Sequence, residues 1–144
     1  MAPGMSTTKF LVELIKPSHY DDDGYVIQWL RTFVPSNSLA CLHALVKDVQ
    51  ERRALGDDVD IVLNACDEVH AVVSTKKIIR RIQQDGGRGI VFLVGVQSNQ
   101  FPRATDLARA MRAAGIDVVV GGFHVSGCLS MLPEIPREIQ ALQD

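Results

Sequence analysis

Four short runs of apolar side chains, Phe10 to Ile15, Val59 to Leu63, Ile90 to Val96 and Ile116 to Val120, constrain this chain more than any other feature. Their Val, Ile and Leu residues are mostly continuous and do not alternate with polar ones. A strand covered by helices on both faces has this pattern, whereas a strand with one face in water alternates. The runs therefore predict parallel strands.

Helical patterns fill the intervals. Ser36 or Asn37 is placed to cap a helix running to about Leu55, with Leu39, Leu42, Leu45, Val46 and Val49 on one side and Gly56 as the stop. Ser74 or Thr75 opens a second helix through Ile78, Ile79 and Ile82, ended by Gly86 and Gly87. Pro102 lies in the first turn of a third, which passes Leu107 and Met111 to Gly115. Three successive β-α-β crossovers make an α/β, doubly wound parallel sheet. After Gly121 and Gly122 the chain passes Pro133 and Pro136 into a short polar segment, Arg137 to Asp144, without a fifth apolar run. The expectation is four evident strands of a five-stranded sheet, shortened at the carboxyl end or completed by another polypeptide. Residues 1–9 read as a flexible amino terminus, 10–133 as the domain and 134–144 as a short tail.

At 144 residues, with 47% hydrophobic and 22% charged side chains, the chain has the make-up of one ordinary globular domain. A formal charge of -2 gives no electrostatic footprint for nucleic acid. No apolar run approaches the roughly 18 to 20 residues that cross a bilayer, so no membrane partner is expected. Met1 to Thr8 carries no basic residue and fits no signal peptide, which makes the cytoplasm the default location. Cys41, Cys66 and Cys128 form no CxxC pair and read as small buried side chains.

Ligands of open parallel sheets bind beyond the carboxyl ends of the strands, where strand order reverses. The loop after the first run, beginning Lys16-Pro17-Ser18-His19-Tyr20 and passing Asp21, Asp22, Asp23, Gly24, Tyr25, Trp29 and Pro35, is about 20 residues long where two to six are usual. Such excess suggests a binding element. After the second run stands Asn64-Ala65-Cys66-Asp67-Glu68-Val69-His70, after the third Gly95-Val96-Gln97-Ser98-Asn99-Gln100, and after the fourth Gly121-Gly122-Phe123-His124. The glycine pair would let backbone approach a flat ligand closely. His19, His70 and His124 share this edge, which admits a metal reading with Asp21 and Glu68, although no HxH or HExxH spacing supports it. Solvated polar loops are the plainer reading. Tyr20, Tyr25, Trp29 and Phe33 either wall an apolar ligand or close the end of the sheet. A P-loop, a GxGxxG turn and the acids of a phosphorylated receiver are all missing from their places.

Lys16-Pro17-Ser18-His19-Tyr20, Gly95-Val96-Gln97-Ser98-Asn99-Gln100 and above all Val120-Gly121-Gly122-Phe123-His124, followed by Leu132-Pro133-Glu134, resemble the amino-terminal cobalamin (B12)-binding domain of B12-dependent radical S-adenosylmethionine (SAM) proteins. The resemblance spans about Phe10 to Pro133. It implies a Rossmann-like, flavodoxin-like domain holding a corrinoid over the carboxyl edge of its sheet. Ser18, His19, Tyr20, Gln97, Ser98, Asn99, Gly121, Gly122, Phe123 and His124 would then line the cofactor site. In that family a barrel with a Cys-xxx-Cys-xx-Cys motif follows. Cys41, Cys66 and Cys128 cannot make the motif, so no iron-sulfur cluster is expected in this chain. The DxHxxG motif that supplies a lower cobalt ligand in other branches is absent as well, and no residue is assigned as a metal ligand.

The leading expectation is a cobalamin-binding module without catalysis of its own, partnered by a radical SAM barrel polypeptide. The alternatives are a ligand-free interaction subunit, self-associating or partner-binding through its exposed sheet edge, and a small metal-dependent enzyme.

Overall fold

A computed structural model of the chain describes residues 7–30, 36–84 and 86–142. Strand β1 (Thr8–Lys16) runs through the middle of a four-stranded parallel sheet, between β2 (Val59–Asp67) and β3 (Gly89–Leu93), with β4 (Asp117–Val120) outside β3. Thr8 pairs with Val59 and Lys16 with Asp67, while Leu11 pairs with Gly89 and Ile15 with Leu93. The order β2-β1-β3-β4 reverses direction between β1 and β3, which makes that junction the switch point.

Helices cover both faces. Helix α1 (Asn37–Glu51) lays Leu39, Leu42, Val46 and Val49 against Val12, Leu14, Ile61 and Val94. On the opposite face Ile78 and Ile82 of α2 (Thr75–Gln84) and Ala104, Leu107, Ala108 and Met111 of α3 (Phe101–Ala113) pack on Leu11, Ile15, Val91 and Leu93. Alternate residues of β1 thus feed two separate cores, as the period of a strand requires. A buried Leu or Ile contributes about 1.5–3 kcal/mol, so these layers hold the sheet. Helices α4 (Phe123–Met131) and α5 (Arg137–Gln140) join the second face through Val125, Cys128 and Ile139. The doubly wound α/β class follows.

The helix signals lie where the sequence puts them. Ser36 Oγ accepts the Leu39 N–H at 3.2 Å, Ser74 Oγ accepts from Lys77 N–H at 3.4 Å, and Pro102 occupies the first turn of α3. Several boundaries differ. Thr8 and Lys9 belong to β1, although residues 1–9 read as a flexible end; residues 1–6 lie outside the described residues, as do Phe33, Pro35 and Asp144. Strand β2 continues past Leu63 to Asp67, because Asn64 to Asp67 pair with Glu13 to Lys16 and an edge strand tolerates polar side chains. Strand β3 stops at Leu93, before Val96, where Gly95 turns the chain with a φ of 64°. Helix α1 ends at Glu51 and reaches Gly56 through turns, and its Leu45 lies off the packed stripe, 61% exposed. The segment after Pro136 is anchored by Ile139, which is 2% exposed. Cys41 is exposed on α1, and Cys66 and Cys128 are only partly buried, so the cysteines are not uniformly core residues. Among the described residues no helix is long and apolar enough to cross a membrane.

Candidate functional site

The long loop after β1 folds into a strap across the carboxyl ends of the strands. Its tip is a turn in which Asp21 Oδ1 accepts the Asp23 and Tyr25 N–H groups, and Tyr20 bridges to Val26 in antiparallel fashion. One side of the strap is tied to the loop after β2, where the Trp29 N–H donates to Val69 O at 2.8 Å and Gln28 Nε2 donates to Glu68 O at 3.3 Å. The other side reaches α3, where the Tyr20 hydroxyl donates to Asp106 Oδ2 at 2.6 Å. The strap therefore links the loop after β2 to helix α3.

Beneath it lies a buried ion pair. Arg103 donates through Nε to both Glu68 oxygens at 3.1 Å and through Nη2 to Oε1 at 2.6 Å, and Glu68 is 1% exposed. Glu68 Oε2 also accepts the Ser18 N–H at 3.1 Å. Arg103 Nη1 stands 3.4 Å from the Tyr20 hydroxyl, with the guanidinium 5.8 Å from the centre of the phenol ring. The hydrogen bonds to Glu68 hold Arg103 well above its ordinary pKa, against an opposing effect of burial. Burial pushes the Tyr20 phenol up, and its bond to Asp106 adds to this, while Arg103 opposes.

The turns after β3 and β4 meet farther along the edge. His124 Nδ1 lies 3.1 Å from Ser98 Oγ, and its ring stacks at 43° on Phe101 with centroids 4.5 Å apart. Its buried Nε2 has Glu138 Oε1 at 3.4 Å, outside hydrogen-bonding geometry. The order serine, imidazole, carboxylate is that of a nucleophile with its base and orienting acid. Ser98 does not line the apolar groove beside this cluster. That groove, of about 790 Å³, lies among α3, β4 and α5, with Phe101, Val118, Val120, Arg109, Arg112 and Glu138 on its walls.

Not every residue expected at a ligand is available to one. Ser18 is fully buried, with its N–H on Glu68 and its hydroxyl donating to Ile27 O. Gly122 has a φ of 144°, and a Cβ there would fall 2.2 Å from Val96 N and 2.6 Å from Val96 O. The close approach that the glycine pair permits is therefore taken by the protein's own backbone. Gly121 has open space where a Cβ would stand. His19 and Tyr20 are half-buried, while Gln97, Ser98 and Asn99 are exposed, and Phe123 is 73% exposed. Tyr25 and Trp29 are also largely exposed, so they neither wall a cavity nor seal the sheet. Among the described residues no three His, Cys, Asp or Glu side chains come together as a metal site, so His19, His70 and His124 do not form one with Asp21 and Glu68, and Glu68 is committed to Arg103.

A second cavity, of about 320 Å³, opens between β2 and α2 and contains Glu13, Asn64, Cys66, Lys77 and Arg81. Glu13 accepts from Arg81 at 2.8 Å and Asn64 at 3.0 Å. Burial raises its carboxyl pKa in spite of Arg81.

Arg103, Asp106 and Glu138 carry no local motif. Arg103 alone left a trace in the sequence, as a cation in the first turn of a helix, where the macrodipole disfavours positive charge. Comparison with family models, with curated proteins and with solved structures finds no match to this chain.

Proposed function

We propose that this chain is a corrinoid-binding module that takes cobalamin at the carboxyl edge of its sheet. The observation that supports this most is the convergence of the two turns that carry the family resemblance: Ser98 Oγ and His124 Nδ1 stand 3.1 Å apart at that edge. Gln97, Ser98, Asn99 and His124 fit the amide-bearing rim of a corrin as hydrogen-bonding groups, Gly121 leaves room, and exposed Phe123 offers an apolar contact. Ser18 and Gly122 serve the scaffold in this reading. A bound corrinoid supplies a cobalt centre that carries an alkyl group; the chain's residues bind and orient the macrocycle, and a radical SAM barrel partner would supply the reaction.

Anaerobic titration with hydroxocobalamin, followed by gel filtration and a visible spectrum of the protein peak, tests the reading. Co-elution near one corrinoid per chain is expected, weakened by His124→Ala. A colourless protein peak overturns it.

A second reading, an interaction subunit, is favoured by β4. Among the described residues this strand pairs with β3 on one side and with no strand on the other, and Val119 is 43% exposed. Light scattering on the eluted peak would show assembly of copies, and a clean monomer would remove self-association.

A further inference from the structure

Glu13 is the acid of the middle strand, and its side chain is 5% exposed. A charge buried so deeply needs partners that compensate it. Its Oε1 accepts from Arg81 Nη1 and Asn64 Nδ2, whereas Glu13 Oε2 and Asn64 Oδ1 accept no hydrogen bond among the described residues. Neither oxygen is sealed off, since the buried side-chain atom without a partner there is His124 Nε2. Both residues line the cavity between β2 and α2, which therefore holds two open acceptors. Burial raises the Glu13 pKa in spite of Arg81 and Asn64, so the protein's own donors leave this carboxylate under-compensated. A cationic donor would complete it. The same walls carry Arg81 and Lys77, so their charges sum to a net positive, and the Lys77 ammonium has no partner among the described residues. Arg81 is half-exposed and Lys77 exposed, which puts the cations at the mouth and the acceptors inside. Because Arg81 Nη1 is already on Glu13, an anion on the other N–H groups of that guanidinium stands next to whatever binds Oε2. Ammonium and carboxylate side by side are the mark of an α-amino acid. At about 320 Å³ the space lies at the lower end of the roughly 300–1,000 Å³ range of small-molecule sites, which suits a small metabolite.

We propose that this cavity is a second binding site, for a free α-amino acid with a short aliphatic side chain. The ammonium donates to Glu13 Oε2 and Asn64 Oδ1, the carboxylate accepts from Arg81 and Lys77, and the side chain lies on the apolar wall of Ala65, Val73 and Ile78. The site shares no residue with those assigned to the corrinoid and stands independently of that reading.

Cys66 lines the same cavity, while Cys41 is exposed on α1, so the chain carries its own reporter and reference. The full chain is reacted with a maleimide in the presence of L-alanine, L-valine, ethylamine or propionate, and each cysteine is followed by peptide mass analysis. Ethylamine is alanine without its carboxylate, and propionate is alanine without its ammonium. An amino acid at about ten times its dissociation constant is expected to slow Cys66 about tenfold and leave Cys41 unchanged. Ethylamine and propionate should each bind at least about tenfold more weakly than alanine. Glu13→Gln, which keeps an acceptor for Asn64, and Lys77→Ala, at an exposed position of α2, should each weaken the protection by about tenfold or more. Cys66 unslowed by both amino acids overturns the site, and so does equal slowing of Cys66 and Cys41. Ethylamine as effective as alanine overturns the carboxylate contact, and propionate as effective overturns the ammonium contact. Unchanged protection in Glu13→Gln removes Glu13 as the anchor and overturns the proposal.

Discussion

Arg103 closes on Glu68 with its Nε and Nη2 groups, joining the first turn of α3 to the loop after β2 across the end of β1. Glu68 is 1% exposed and the Arg103 side chain 18%, so water screens this pair little. Removing one member leaves a buried charge without its counterion. Arg103→Ala is expected to lose about 3–5 kcal/mol of stability in urea unfolding. The double replacement Glu68→Gln/Arg103→Met, which removes both charges and keeps an acceptor for the Ser18 N–H, should recover most of that loss. Equal losses in the single and double variants would show that the pair itself is not the source.

The adjacent glycines separate two uses of a missing side chain. At Gly122 a Cβ would collide with the Val96 backbone, and its φ of 144° is strained for any other residue. Gly122→Ala is expected to cost about 3 kcal/mol or more, since neither the backbone nor the register of β3 can yield cheaply. At Gly121 the space is open, and Gly121→Ala should change stability by less than about 1 kcal/mol. Thermal melts of the two variants check this contrast. Equal shifts would remove the close approach of Gly122 to Val96 as its cause.

Gly122 also marks how far the sequence could be read. Its place in a strand-to-helix turn was legible, because paired glycines after an apolar run signal one; which backbone would fill the space was not. Strands and caps were legible for a similar local reason, since Ser36 and the 3.6-residue pattern of Leu39, Leu42, Val46 and Val49 act within one helix. The strap depends on distant contacts, Glu68 with Arg103 across 35 residues and Tyr20 with Asp106 across 86. No short pattern encodes those separations. The polar tail of β2 was missed because Asn64 and Asp67 look like loop residues until their backbone is paired with β1.

Thiol chemistry distinguishes two cysteines that look alike in the sequence. Cys41 is exposed on α1, while Cys66 is partly buried in β2 and its thiol pKa is raised, chiefly by burial and then by the charges of Glu68, Asp67 and Glu13. Thiolate is the reactive form, so a raised pKa slows reaction at a given pH. With a maleimide at pH 7, Cys41 should label at least about tenfold faster than Cys66. The Cys66 rate should keep climbing with pH beyond the ordinary thiol range. Equal rates, followed by peptide mass analysis, would contradict this placement.

Glu13 gives the fold a pH dependence whose sign follows from its surroundings. Its side chain faces the α2 side from the middle strand, and desolvation raises its carboxyl pKa more than Arg81 and Asn64 lower it. The folded protein therefore binds this proton more tightly than the unfolded chain. Between the unfolded carboxylate value, about 4.3, and the raised folded value, the native state carries the extra proton, and stability from this group falls as pH rises through that window. The contribution is fully present below the window and gone above it. Glu13→Gln keeps an acceptor for Asn64 without the buried charge, and Arg81, 43% exposed, stays hydrated when its partner is neutral. The variant should melt higher than wild type at pH 7 and show a flatter profile from pH 4 to 7. A lower melting temperature at pH 7 would mean that the Arg81 attraction outweighs desolvation, reversing the sign argued here.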